Sequence, residues 1–141
     1  MQLTSFILSL ENRQETGANG EATTILANPL ALLRPPAVPG AFSFTMTFAV
    51  SGLDVSDRHK LKILLYDPDG NELNAKVDCD LPNPPNTVPY DPAPLEYKGC
   101  VINIGFGNLF FPKAGWYRAT ITIDGAESFE RSFAVYQGVS L

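Results

Sequence analysis

Hydrophobic and polar residues alternate along this chain in short runs. The clearest run is Phe42 to Val50. Phe42, Phe44, Met46, Phe48 and Val50 share one face, and Ser43, Thr45, Thr47 and Ala49 share the other. A period of two held that long cannot make a one-sided helix and predicts a strand. Leu61, Ile63 and Leu65 alternate with Lys60, Lys62 and Leu64 in the next run. Asp67-Pro68-Asp69-Gly70-Asn71 then reads as a tight reversal. Leu73, Ala75, Val77 and Cys79 form the expected return strand of a hairpin, with Asn74, Lys76 and Asp78 facing out.

The rest of the chain follows the same grammar. Phe6, Leu8 and Leu10 mark a first strand, residues 11–20 a polar loop, and Ala22 to Ala27 a second strand. Asn28 suits a helix N-cap and Pro29 the first helical position, so one helical turn is expected through Leu33, stopped by Pro35-Pro36. Cys100, Ile102, Ile104 and Phe106 alternate with Val101, Asn103 and Gly105 in a strand partly buried on both faces. Of the adjacent Phe110 and Phe111, one should turn away from the core. Tyr117, Ala119, Ile121 and Ile123 face in, Asp124-Gly125 signals a two-residue hairpin, and Phe129, Phe133 and Val135 return. Arg131 falls on that apolar face and points to an edge or an end of the fold. Half of the twelve prolines lie in residues 81–98, whose missing backbone donors exclude a central strand there. That segment is expected to be a long extended loop.

About eight short strands in one sheet would leave an apolar face in water. Two stacked sheets bury both inner faces, so the expected fold is an all-β, antiparallel, two-sheet β-sandwich with at most one helical turn. With 45% hydrophobic and 18% charged residues, the 141-residue chain has enough apolar side chain for one domain over residues 1–141. A net charge of −5 argues against nucleic acid and anionic membrane surfaces as partners. No apolar run approaches the roughly 18 residues of a membrane span. Met1 to Ser5 lacks the basic region of a signal peptide, so a cytoplasmic location is expected.

Two segments together carry a resemblance. The first is His59-x-Leu61-x-Ile63-x-Leu65-x-Asp67-Pro68-Asp69-Gly70. The second is Asn108-Leu109-x-Phe111-Pro112-x-x-Gly115-x-Tyr117-x-x-x-Ile121-x-x-Asp124-Gly125. Both resemble a family of small stand-alone bacterial proteins of unknown function with an immunoglobulin-like β-sandwich. The resemblance implies a fold and no activity, so it carries no catalytic residue over. Gly115-x-Tyr117 looks like the corner where a tyrosine hydroxyl ties an inter-sheet crossover back to the backbone.

Several residues invite a chemical reading. Asp67, Asp69, Asn71 and Glu72 imitate the opening of a calcium loop, but flanking strands and an immediate reversal favour a plain turn. His59 is the only histidine, so any Ser-His-Asp or Cys-His arrangement would have to be built around it. Strand-start packing or a hydrogen bond is the simpler role. Asp78, Asp80 and Asp91 lie near the proline-rich loop as candidate acid–base carboxylates or as solvated charges. Tyr90, Asp91 and Tyr97 are the weak candidates for a partner-binding loop. Cys79 and Cys100 flank that loop. A reducing compartment favours two free, slowly reacting thiols, and a bridge closing the loop is the alternative.

The reading that follows is a non-enzymatic interaction or structural module, with no cofactor, metal site or catalytic residue assigned. Its partner would be a protein or a second copy. The alternatives are a carbohydrate-binding module using Tyr90, Tyr97 or Trp116 as a platform, and a hydrolase using loop carboxylates. An aromatic row on one open face would favour the sugar reading, and two carboxylates in a deep pocket would favour the hydrolase.

Overall fold

A computed structural model describes residues 1–20, 22–54, 57–81 and 92–138. Among the described residues nine strands form two sheets. They are β1 (Gln2–Thr16), β2 (Ala22–Leu30), β3 (Leu32–Leu33), β4 (Gly40–Ser51), β5 (Lys60–Tyr66), β6 (Val77–Asp80), β7 (Gly99–Phe111), β8 (Gly115–Ile123) and β9 (Glu127–Val135). One sheet has the order β2-β1-β4-β7 and the other β3-β9-β8-β5-β6.

The inner faces are the ones the alternation marks. Phe44, Met46, Phe48 and Val50 of β4 are buried, as are Leu61, Ile63 and Leu65 of β5 and Tyr117, Ala119, Ile121 and Ile123 of β8. Phe44 joins the two sheets, with its ring 5.1 Å from Phe106 and 6.3 Å from Phe133. Phe111 is fully buried and Phe110 exposed, so the adjacent pair does split between core and solvent. Asp124 and Gly125 both take positive φ, 56° and 66°, but Ile123 pairs with Glu127, so the connection spans the three residues 124–126 rather than the expected two.

Several expectations are corrected. Residues 11–16 continue β1 instead of looping, because Glu11 to Thr16 pair with Ala27 to Ala22 in a ribbon whose β1 side is wholly polar. Gln14 Nε2 donates to Thr24 Oγ1 at 2.8 Å there. None of the described side chains of residues 11–16 is buried, so no hydrophobic alternation is there to read. The expected helical turn at 28–33 is absent. Asn28 sits at φ 54°, outside the extended conformation of an N-cap, and Leu33 is drawn into the core on β3. β3 pairs in parallel with β9, so the sandwich is not wholly antiparallel. Regular pairing of the return strand starts only at Val77, after an isolated Tyr66–Glu72 bridge. Finally, one turn of 3-10 helix, Leu95–Tyr97, forms in the proline-rich segment. β7 runs five residues past Phe106 to Phe111, with an irregular register where Asn108 takes φ 48°.

The Gly115-x-Tyr117 corner forms as expected. Tyr117 is fully buried, and its hydroxyl donates to the Lys113 carbonyl at 2.6 Å and accepts from the Lys113 N–H at 3.3 Å. Gly115 has φ 141°, and a Cβ there would lie 2.8 Å from Pro68 Cγ.

Candidate functional site

His59 precedes β5, and the β5–β8 register brings it to the β8–β9 turn. Asp124 clasps this junction. Its Oδ2 lies 2.6 Å from His59 Nδ1, its Oδ1 accepts the Lys60 N–H at 2.8 Å, and its own N–H donates to the Lys60 carbonyl at 2.9 Å. His59 Nε2 lies 2.6 Å from the Asp54 carbonyl. Both ring nitrogens therefore face acceptors, which an imidazolium satisfies and a neutral ring cannot. Burial disfavours that charge. The bonds to Asp124 and Asp54 and the charges of Asp124 and Asp57 outweigh it, and the net shift is upward. Asp124 is held below the usual carboxylate range by the His59 bond first and the Lys60 amide second. With both nitrogens engaged, His59 serves as a clasp at a junction of strands. Arg58, Asp80 and Gly125 surround it in an open cleft of about 570 Å³.

The Asp67–Glu72 segment is a turn closed on itself. Asp67 is nearly buried, and its Oδ1 accepts the N–H groups of Asp69 and Asn71, each at 2.9 Å. The Asn71 amide is the main cause of its lowered pKa. Lys113 pairs with Asp69 and closes the turn against the tyrosine corner. Among the described residues no three His, Cys, Asp or Glu side chains cluster as a metal site.

The candidate aromatics and acids are not brought together. Tyr97 is 74% exposed, while Tyr90 and Asp91 lie outside the described residues. Tyr97 precedes β7 and Trp116 follows it, so the 13-residue strand separates the two rings. Trp116 has another neighbour that sequence reading missed. It stands opposite Ala134, and Tyr136 follows two residues on; the two rings are 68% and 62% exposed. Asp78 and Asp80 are exposed on β6, where Asp78 lies 3.9 Å from Lys76 Nζ, and Asp91 is outside the described residues. Cys79 and Cys100 are free and sit on strands of different sheets. Cys79 is exposed, which corrects its placement on an apolar face. Cys100 is half-buried, and burial pushes its thiol pKa up.

The four outermost strands differ in how they meet solvent. β3 is two residues long, β6 is four residues with Asp78 and Asp80, and β2 carries Pro29. Short length, charge and proline each blunt an open edge. β7 has 13 residues, no proline and no charged side chain, and among the described strands only β4 pairs with it. Beside its second half lies a groove of about 600 Å³. Gly105 to Phe110 of β7 form one wall and Glu72 to Val77, between β5 and β6, the other. A Cβ on Gly105 or Gly107 would meet nothing within 4 Å, so both positions face open space. Glycine inside a strand often marks close approach by another backbone. That signal stood in the sequence, but the position of β7 at an edge did not.

Among the described residues these features define an all-β, two-sheet protein in which the long, uncharged β7 ends one sheet. The chain belongs to a family of unknown function (DUF6941), which matches residues 24–136. No curated protein matches it.

Proposed function

We propose that this protein is a non-enzymatic protein-interaction module, an immunoglobulin-like sandwich working in a bacterial cytoplasm, and that β7 is its contact edge. The observation that carries the reading is the uncharged 13-residue edge of β7, set against short, charged or proline-bearing edges elsewhere. Unpaired strand edges are templates for another chain, and a protein normally blunts them. An edge left open over this length is suited to recognition. The immunoglobulin-like assignment is supported by the Tyr117 hydroxyl bonded to the Lys113 carbonyl. The cytoplasmic assignment is in keeping with two free cysteines.

Affinity capture from a bacterial lysate tests the reading, with Gly105→Lys as the comparison. The space beyond Gly105 is open, so lysine should fold there while placing a charge on the edge. We expect defined proteins retained by the parent and lost by the variant. Identical capture by both, or none above a blank resin, would overturn the reading.

A second reading, a carbohydrate-binding module, is supported by the exposed Trp116 and Tyr136 rings on adjoining chain segments. Aromatic faces of this kind stack on sugar rings. The chain has one tryptophan, so fluorescence titration with neutral oligosaccharides reports directly on Trp116. A saturable change lost in Tyr136→Ala would favour this reading over the first.

A further inference from the structure

The connection from β4 to β5 carries the chain from one sheet to the other, and it is held from both sides. Near the first sheet, the Lys98 carbonyl accepts the Gly52 and Leu53 N–H groups at 2.6 and 3.2 Å, and Lys98 Nζ lies 3.7 Å from Asp54 Oδ2. Near the second, His59 reaches back through Nε2 to the Asp54 carbonyl and forward through Nδ1 to Asp124, each at 2.6 Å. The His59 carbonyl accepts the Leu81 N–H at 2.8 Å, which fixes the backbone beneath the ring. Asp57 acts on the ring as a second anion, and Arg58, Lys60 and Asp80 line the same cleft. Of these residue types, only imidazole ordinarily changes charge between about pH 5 and 8.

The two ring contacts are not equivalent. Each partner is an acceptor, so each contact needs a proton on the ring, and a neutral imidazole has one proton for two acceptors. A bond to a carboxylate is roughly twice as strong as one to a neutral acceptor. Asp124 is also fixed in place by the N–H and carbonyl of Lys60. The Asp54 carbonyl has a second donor in the Asp57 N–H at 3.2 Å, so it loses less when the ring lets go. The proton on Nδ1 is therefore kept and the one on Nε2 given up. Without that proton, a nitrogen lone pair faces the Asp54 oxygen at 2.6 Å, and the two must separate.

We propose that His59 is a pH-sensitive latch between the two sheets: protonated, it ties the Asp54 carbonyl to the β8–β9 turn, and on losing its Nε2 proton it releases Asp54 while keeping Asp124. The β5–β8 junction then stays closed, and the β4–β5 connection keeps its Lys98 anchor but loses its hold on the second sheet at Asp54.

The chain has one histidine, so the ring nitrogens of the isotopically labelled full chain give one pair of signals. Proton–nitrogen correlation spectra recorded between about pH 5 and pH 9 follow both through the imidazole range. We expect both nitrogens protonated at the acid end. At the alkaline end Nε2 should take the position of an unprotonated nitrogen, and Nδ1 should keep that of a protonated one. The Asp54 carbonyl and Asp57 amide signals should move with the same midpoint, and the Lys60 amide should move little. Asp124→Asn removes the anion and should lower the midpoint by about one unit. A neutral ring protonated at Nε2 would overturn the proposal, since Asp54 would then be the contact kept. An Asp54 carbonyl signal that ignores the ring, a ring charge unchanged across the range, or an unmoved midpoint in Asp124→Asn would overturn it as well. Where Asp124→Asn does not fold, the tautomer of the parent decides.

Discussion

Replacing Tyr117 by phenylalanine removes one oxygen and keeps the ring. The ring stays stacked 5.8 Å from Phe133 and edge-on to Phe111 at 5.3 Å, so the apolar packing is preserved. What is lost is the 2.6 Å bond to the Lys113 carbonyl and the weaker 3.3 Å bond from its N–H. One net hydrogen bond is worth about 1 kcal/mol, and stranding a partly buried acceptor adds to that. We expect a loss of about 1–2 kcal/mol, or roughly 3–8 °C in melting temperature for a chain of this size. Urea denaturation followed by far-ultraviolet circular dichroism measures it, with an unchanged slope expected because the surface exposed on unfolding is the same. Coincident midpoints for variant and parent would refute the argument that the hydroxyl pins the 112–114 connection.

Three further perturbations test neighbouring parts of the account. Gly115→Ala should cost about 1–3 kcal/mol, from positive φ and the 2.8 Å approach to Pro68 Cγ; a midpoint within error of the parent would contradict the strain. His59 has a raised pKa when folded, so its contribution is complete below its unfolded pKa, about 6.5, and is lost as pH rises through the folded value. The stability gap between the parent and His59→Gln should therefore shrink on going from pH 5.5 to pH 8.5, and a gap that widens would reject the imidazolium clasp. Under native conditions Cys79 should react with a thiol reagent well before half-buried Cys100, and unfolding without reductant should expose two thiols; equal native rates would contradict the burial difference.

The strands legible in the sequence are those that lie on the opposite sheet. β4, β5 and β8 each turn alternate residues into the core, and burial writes a period of two into the chain. The second half of β1 has no such burial, and its Gln14–Thr24 pairing leaves no hydrophobic trace. β3 is too short to show a period and is held by β9 from the far end of the chain. The Tyr117 corner was legible because Gly115, Tyr117 and their connection are local. The His59–Asp124 clasp was not, because 65 residues separate its members and only the β5–β8 register joins them. The groove was hidden for the same reason. Its two walls come from different sheets, and no local pattern reports that β7 ends one of them.

Hydrogen–deuterium exchange of the full chain, alone and saturated with the protein it captures from lysate, tests the role of β7 most directly. Exchange should slow in residues 105–111 and 72–77, with little change around Trp116 and Tyr136. Protection confined to the Trp116–Tyr136 region or to β2, with β7 exchanging as in the free protein, would contradict it.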